Sequence, residues 1–402
     1  MSKLLCLLHE KPYAGVNGSG KHNNWSIATN TGKNLLSPGK EPHKNLMYLT
    51  FFVTVIKAVH EYADLIRASI ATANNDHRLG ANEAPPAIIS AFIGETMTKL
   101  LNDLEKSGKS DGTALKTALD LVEKIPLLEK DSTDRNRTSP FAFTGNKFEI
   151  RAVGSSQNCG FPMTVMNTIV AIQLEKLKAE VDKLTEGGKP VEEAVLSVVI
   201  KYIKESKKVR FEGNGYSAEW KEEAAKRGLN NFTTTPEALK ALSGKKADAF
   251  TKAGVFSKKE LHAFQEAQYH TYVTKVQIES RTLGEMVANL ILPAAVTYQK
   301  KLAENIATLK SIGLGEEAYS AQLEIVKALG TAINGAAEGV KTMTVKRRAI
   351  GEHESIEHQA EAYNADIKPL MEEIRVFADR LEYLVEDSSW PLPKYREMFY
   401  IR

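Results

Sequence analysis

Between Lys11 and Ser26 the chain reads Lys-Pro-Tyr-Ala-Gly-Val-Asn-Gly-Ser-Gly-Lys-His-Asn-Asn-Trp-Ser, a turn-rich stretch behind a short apolar run. Gly15, Gly18 and Gly20 allow backbone conformations in which successive N–H groups converge on phosphate or carboxylate oxygens. His22, with the look of a buried histidine, adds a nitrogen ligand where a divalent cation could sit. Gly15 to Lys21 also fits the P-loop spacing G-x-x-x-x-G-K. The next position, where a hydroxyl should hold magnesium, is His22, and the required apolar helix is replaced by the loop chemistry of Asn23, Asn24, Thr29, Asn30, Thr31 and Gly32. A P-loop is therefore set aside.

A second set of charged residues lies at Lys147-Phe-Glu-Ile-Arg151. Strand alternation sends Lys147, Glu149 and Arg151 to one face and Phe148 and Ile150 to the other. Alone, this pattern suits a wetted strand on an apolar core. Beside the glycine-rich stretch it also suits a polar face lining a cleft.

Three segments in order carry a resemblance. Lys11-Pro, an apolar residue, a short spacer, Asn17-Gly-Ser-Gly20, His22 and Ser26 resemble the ATP-binding signature of glutamine synthetases. Asn74-Asn-Asp-His-Arg-Leu-Gly-Ala-Asn-Glu-Ala-Pro-Pro86 resembles that family's mobile loop, and Asn136-Arg-Thr-Ser-Pro140 with Lys147–Arg151 resembles its phosphate-handling segment and metal-binding strand. The wording of these segments and the closing Trp390-Pro-Leu-Pro-Lys-Tyr-Arg396 are most similar to the type III enzymes, and the likeness runs through essentially the whole chain.

The resemblance implies ATP-dependent ligation of L-glutamate and ammonia through an acyl phosphate, with ATP and Mg2+ or Mn2+ as cofactors. It makes His22 and Glu149 metal ligands, Arg137 the stabiliser of the transferring phosphoryl group, and Ser26 and Lys147 further nucleotide contacts. Asn17, Gly18, Arg78 and Arg151 match glutamate-holding positions, the two arginines offering the forked donors that carboxylates favour. Glu83 matches the loop glutamate that shields the acyl phosphate and accepts a proton from ammonium.

Some positions depart from the family pattern. Lys147 stands where relatives carry arginine, which keeps the charge and loses bidentate geometry. The Arg78 to Glu83 spacing is one residue shorter than in the better-known bacterial forms. A second arginine expected after Arg137 falls near Ala142, in an apolar run, and Asn24 replaces a histidine. Relatives carry an N-terminal domain and further metal-site glutamates before the Lys-Pro motif; none precedes Met1, so the chain reads as a C-terminal portion. The alternative is a non-catalytic remnant or assembly subunit that retains the fold.

The elements that must position these residues divide in two. The expected fold class is α+β: a partial catalytic domain over residues 1–160, with a mostly antiparallel curved sheet and helices, followed by an all-helical region over 161–402. Leu46 to Ile56 is apolar for 11 residues, against the ~20 that span a bilayer, and continues amphipathically, as a core helix does. Met1–Leu8 reads as a buried strand. Val170, Leu174, Leu177, Val181 and Leu184, and again Leu370, Ile374, Phe377, Leu381 and Leu384, repeat at four and three, as intramolecular helix seams do. Thr235-Pro236 reads as an N-cap with proline at the first helical position, Ser257-x-x-Glu260 as a capping box, and Pro293 as a kink or break. His353 and His358 are five apart and do not share a helix face as the zinc pattern requires.

With 402 residues, 43% hydrophobic and 26% charged, the composition is that of a soluble protein with a sizeable core. Net charge is 53 − 50 = +3 without a basic block, which provides no footprint for nucleic acid. Two cysteines, Cys6 and Cys159, suit a reducing cytoplasm. No membrane partner is expected, and the helical tail implies, by resemblance, a ring-shaped homo-oligomer.

Overall fold

The computed structural model describes residues 18–80, 84–107, 138–394 and Glu397. The expected strand Met1–Leu8 and the candidate residues Asn17, Glu83 and Arg137 lie outside the described residues. Contacts divide the chain into two compact units, Met1–Gln265 and Glu266–Arg402.

In the first unit four strands lie in the order β1-β4-β3-β2: β1 (Gly20–Trp25), β2 (Ala91–Phe92), β3 (Phe141–Phe143) and β4 (Phe148–Gly154). β4 runs antiparallel to β1 and β3, while β2 is parallel to β3. The β3–β4 turn is closed by the Thr144 amide donating to the Lys147 carbonyl at 2.9 Å, and Gly145 takes φ +93°, where a side chain would be strained.

The pleat sorts the sheet into two faces. Phe141 and Phe143 pair with Ile150 and Phe148, so all four point the same way. Against them packs α1 (Leu46–Glu61), begun by the Asn45 side chain accepting from the Tyr48 amide. Phe52 stacks on Phe148 at 5.6 Å and meets Phe143 edge-on at 4.8 Å, while Phe141 stacks on Phe148 at 4.7 Å. Each such fully buried ring contributes roughly 1.5–3 kcal/mol.

The helices Gly160–Glu186 and Val191–Glu205 pack on α1 and share its core, which is why this compact unit continues well past residue 160. The first seam is buried at Val170, Leu177 and Val181, and its helix ends where Gly188 turns to φ +88° and the Lys189 amide reaches the Leu184 carbonyl. Thr235 is one position inside its helix; the cap is Thr234, because Thr235 spends its amide and hydroxyl on Asp76, both at 2.8 Å. The capping box holds: the Ser257 amide donates to Glu260 at 2.8 Å and the Glu260 amide to Ser257 Oγ at 3.2 Å.

The second unit contains helices joined by turns, and no strand among its described residues. Pro293 does not break its helix; a π-helical turn, Val287–Ile291, precedes it and lets the run continue through Leu292–Ser311. Pro369 is handled identically by the π turn Tyr363–Ile367. A wider turn relieves the clash a proline ring makes with the carbonyl four residues back. The second seam is buried at Ile374 and Leu381 against the helix Ser320–Gly351, where a Cβ on Gly335 or Gly339 would meet Phe377 at 2.5 Å or Ile374 at 2.7 Å. His353 lies in the break after that helix and His358 within the next one, Ile356–Ala362, so they do not share a helix.

Candidate functional site

The polar face of the sheet brings together His22, Glu149 and Arg151. Asn24 pairs with Glu149, and then the register slips: Lys21 pairs with Val153 while Asn23 pairs with Ile150. Two residues of β4, Arg151 and Ala152, therefore stand opposite the single residue His22, a β-bulge of the kind that re-aims side chains. It brings His22 Nδ1 to 3.6 Å from Glu149 Oε2, and Arg151 Nε donates to the same oxygen at 3.1 Å. His22, expected to be buried, has a side chain 55% exposed, against 19% for Glu149. His22 lies on β1, an edge strand of the described sheet, whereas Glu149 and Arg151 lie on β4, which is paired on both sides.

The bulge takes β4 carbonyls out of the ladder, and α3 (Ala73–Arg78), the helix after α2 (Ala63–Ser69), supplies donors for them. Asn75 Nδ2 donates to the Ala152 carbonyl at 2.8 Å, and Arg78 donates to the carbonyls of Arg151 at 3.1 Å and Val153 at 3.5 Å. α3 is itself fixed: Thr72 caps it, and Asp76 is held by buried Arg67 at 3.4 Å and by Thr235. Burial pushes the Arg67 guanidinium below its ordinary value, Asp76 opposing.

Arg78 is only 3% exposed and lies where a Cβ on Gly20 would fall, 2.1 Å from its Nη2. The glycine-rich stretch and the arginine of the following motif thus need one another sterically. Arg78, expected to bind substrate, here spends guanidinium donors on backbone carbonyls beside Arg151. Asn75, three residues before it and equally buried, was not singled out in the sequence, although an Asn-Asn-Asp run preceding an arginine is unusually polar for a buried helix.

Two further candidates sit at the far end of β1. Ser26 Oγ donates to Asn34 Oδ1 at 2.9 Å and approaches the Asn146 carbonyl at 3.1 Å, which fastens it to the β3–β4 turn. Lys147 closes that turn, one residue before β4, rather than standing within the strand. Gly18 is described two residues before β1, without a side chain to place.

Imidazole nitrogen and carboxylate oxygen are a suitable mixed donor set for magnesium or manganese. Cis donors each about 2.1 Å from one octahedral ion stand about 3.0 Å apart, so Nδ1 and Oε2, 3.6 Å apart here, would close by about 0.6 Å to share a cation. Among the described residues no group of three or more His, Cys, Asp or Glu is placed to hold a metal ion.

After β2, at the other edge of the described sheet, Glu212 accepts from the amides of Ile93 and Gly94 at 3.1 and 3.0 Å and from Thr98 Oγ1 at 2.9 Å, holding the start of α4 (Glu95–Ser107). Burial raises its pKa against those donors. The Gly215 amide donates to Thr138 Oγ1 at 2.8 Å, just after Arg137, and a Cβ there would meet the Thr138 carbonyl at 2.8 Å.

The described residues thus form an α+β protein with one small four-stranded sheet, on whose polar face His22, Glu149 and Arg151 meet, and many helices. Residues 194–310 match the family described as the glutamine synthetase C-terminal domain. The chain is 45% identical over 407 residues to a glutamine synthetase of Bacteroides fragilis, covering 98% of this chain and 55% of that protein. It is 42% identical to a type-3 glutamine synthetase of Dictyostelium discoideum, covering 99% and 55%, and 40% identical to a glutamine synthetase of Butyrivibrio fibrisolvens, covering 98% and 56%. The chain is a homologue of glutamine synthetases, the type-3 form among them, and spans about half the length of the relatives it matches.

Proposed function

We propose that the chain supplies part of the active site of an ATP-dependent ligase that joins L-glutamate to ammonia. The observation that supports this most strongly is the convergence of His22 and Arg151 on one oxygen of Glu149, opposite a bulge that α3 holds in place. His22 and Glu149 would hold Mg2+ or Mn2+, which when bound offsets negative charge on the ATP phosphates. Arg151 presents its guanidinium beside that pair, where a substrate carboxylate finds a forked donor. Ser26 and Lys147 flank the nucleotide end, Arg137 acts on the transferring phosphoryl group, and Asn17 and Gly18 line the glutamate side. Glu83 takes a proton from ammonium, which frees the nitrogen lone pair to attack the acyl carbon and expel phosphate.

The helical region serves assembly into a homo-oligomer, and the protein works in the cytoplasm. No helix among the described residues is long and apolar enough to cross a membrane. Purified chain should bind magnesium-ATP weakly, and should form glutamine at most negligibly unless the remaining half of a type-3 enzyme is supplied in trans. Absence of any nucleotide binding, with or without that half, refutes the proposal.

A further inference from the structure

The hydroxyl of Ser26 has a fixed hydrogen-bonding sense. Asn34 Oδ1 accepts from the Leu36 amide at 2.8 Å, and a backbone N–H can only donate, so the orientation of the Asn34 amide is settled. Its Nδ2 correspondingly donates to the Asn146 carbonyl at 2.9 Å. Both groups that Ser26 Oγ reaches, Asn34 Oδ1 at 2.9 Å and the Asn146 carbonyl at 3.1 Å, are therefore acceptors. The single hydroxyl proton is committed to them, and only lone pairs remain for a ligand.

We propose that Asn34 is a positioning residue that makes Ser26 an acceptor-only contact, so that the nucleotide group meeting it must be a hydrogen-bond donor. This rests on the reading of Ser26 as a nucleotide contact. A phosphate oxygen or a 6-oxo base offers an acceptor to an acceptor and is disfavoured; the 6-amino group of adenine or a ribose hydroxyl fits. The Asn34 amide joins three chain segments, at Ser26, Leu36 and Asn146, and thereby also fixes the turn that carries Lys147. Replacing it with alanine removes one acceptor and releases the other, and the hydroxyl is then free to turn and donate.

The test is titration calorimetry of the full chain with the magnesium complexes of ATP, inosine triphosphate, 2′-deoxy-ATP and 3′-deoxy-ATP. The expected result is that one donor-deleted analogue binds about tenfold more weakly than ATP, as sites built around a substrate donor reject analogues lacking it. Weakening by inosine triphosphate assigns the base amino group, and weakening by a deoxy analogue assigns the sugar. In Asn34→Ala that discrimination should fall to within about threefold, for inosine triphosphate because the freed hydroxyl can donate to the 6-oxo group, and for a deoxy analogue, which offers no acceptor, because ATP loses the contact to an unheld Ser26; in Asn34→Asp, which keeps the acceptor for Leu36 and Ser26, it should persist. A merely structural role would lower all four affinities together. Equal binding of all analogues by the native chain, or unchanged discrimination in Asn34→Ala, overturns the proposal. No binding of ATP at all refutes the nucleotide site itself, and this inference with it.

Discussion

The steric dependence of Arg78 on Gly20 can be tested by a double-mutant cycle. In Gly20→Ala the new Cβ would stand 2.1 Å from Arg78 Nη2 and 2.4 Å from Cζ, where ordinary contact begins near 3.4 Å, so the guanidinium must move by about 1 Å or more. Arg78 is 3% exposed, which leaves it no solvent to swing into. Its bond to the Arg151 carbonyl is lost, and that to Val153 is weakened further. A hydrogen bond from a charged donor contributes about 1.5–3 kcal/mol, and stranding a buried carbonyl costs about 1–3 kcal/mol, so each of Gly20→Ala and Arg78→Ala should cost about 2–3 kcal/mol. Because both act through one guanidinium, the double variant should be no less stable than Arg78→Ala alone, a coupling of about 2 kcal/mol. Amide hydrogen exchange across the β1–β4 ladder reads this locally, without requiring the two compact units to unfold together. Additive losses, or unchanged protection in Gly20→Ala, would refute the steric link.

Other perturbations have equally definite outcomes. Phe52→Ala empties the centre of the aromatic cluster and should cost about 3–5 kcal/mol in urea unfolding of the first unit, with retention of stability contradicting the packing described. Gly215→Ala forces a Cβ within 2.8 Å of the Thr138 carbonyl and should cost about 1–3 kcal/mol, seen as faster exchange at residues 138–143. Burial, helped by Lys57, lowers the pKa of His60 below its ordinary 6.5. The unfolded chain then binds the proton more readily than the folded one, so this contribution to stability is complete above pH 6.5 and is lost as pH falls through the folded value. His60→Gln should flatten the slope of stability against pH just below 6.5, and an unaltered slope would show that His60 does not set it.

Much of this site was legible because its signals are local. Alternation in Phe148–Arg151 correctly divides Phe148 and Ile150 from Glu149 and Arg151, since a pleat of period two leaves no other choice. The capping box at Ser257 and Glu260 closes within one helical turn, and the apolar run from Leu46 could only be a buried helix. What escaped is non-local. Asn75 meets Ala152 77 residues away, and Ser26 meets Asn146 120 residues away, through side chains whose partners only the fold identifies. The bulge opposite His22 is a mismatch between two strands and is written in neither alone. Pro293 and Pro369 mark where a helix is stressed, but a break and a π turn both answer that stress, and neighbouring packing selects between them.

Manganese binding followed by paramagnetic broadening of nuclear resonances tests the shared cation site most directly. A shared cation requires that the His22 ring and the backbone amides of Glu149 and Arg151 broaden first at substoichiometric Mn2+, and that His22→Ala and Glu149→Ala each abolish this pattern while the aromatic core signals stay in place. Broadening that leaves positions 22 and 149 sharp, or that survives Glu149→Ala unchanged, would contradict it.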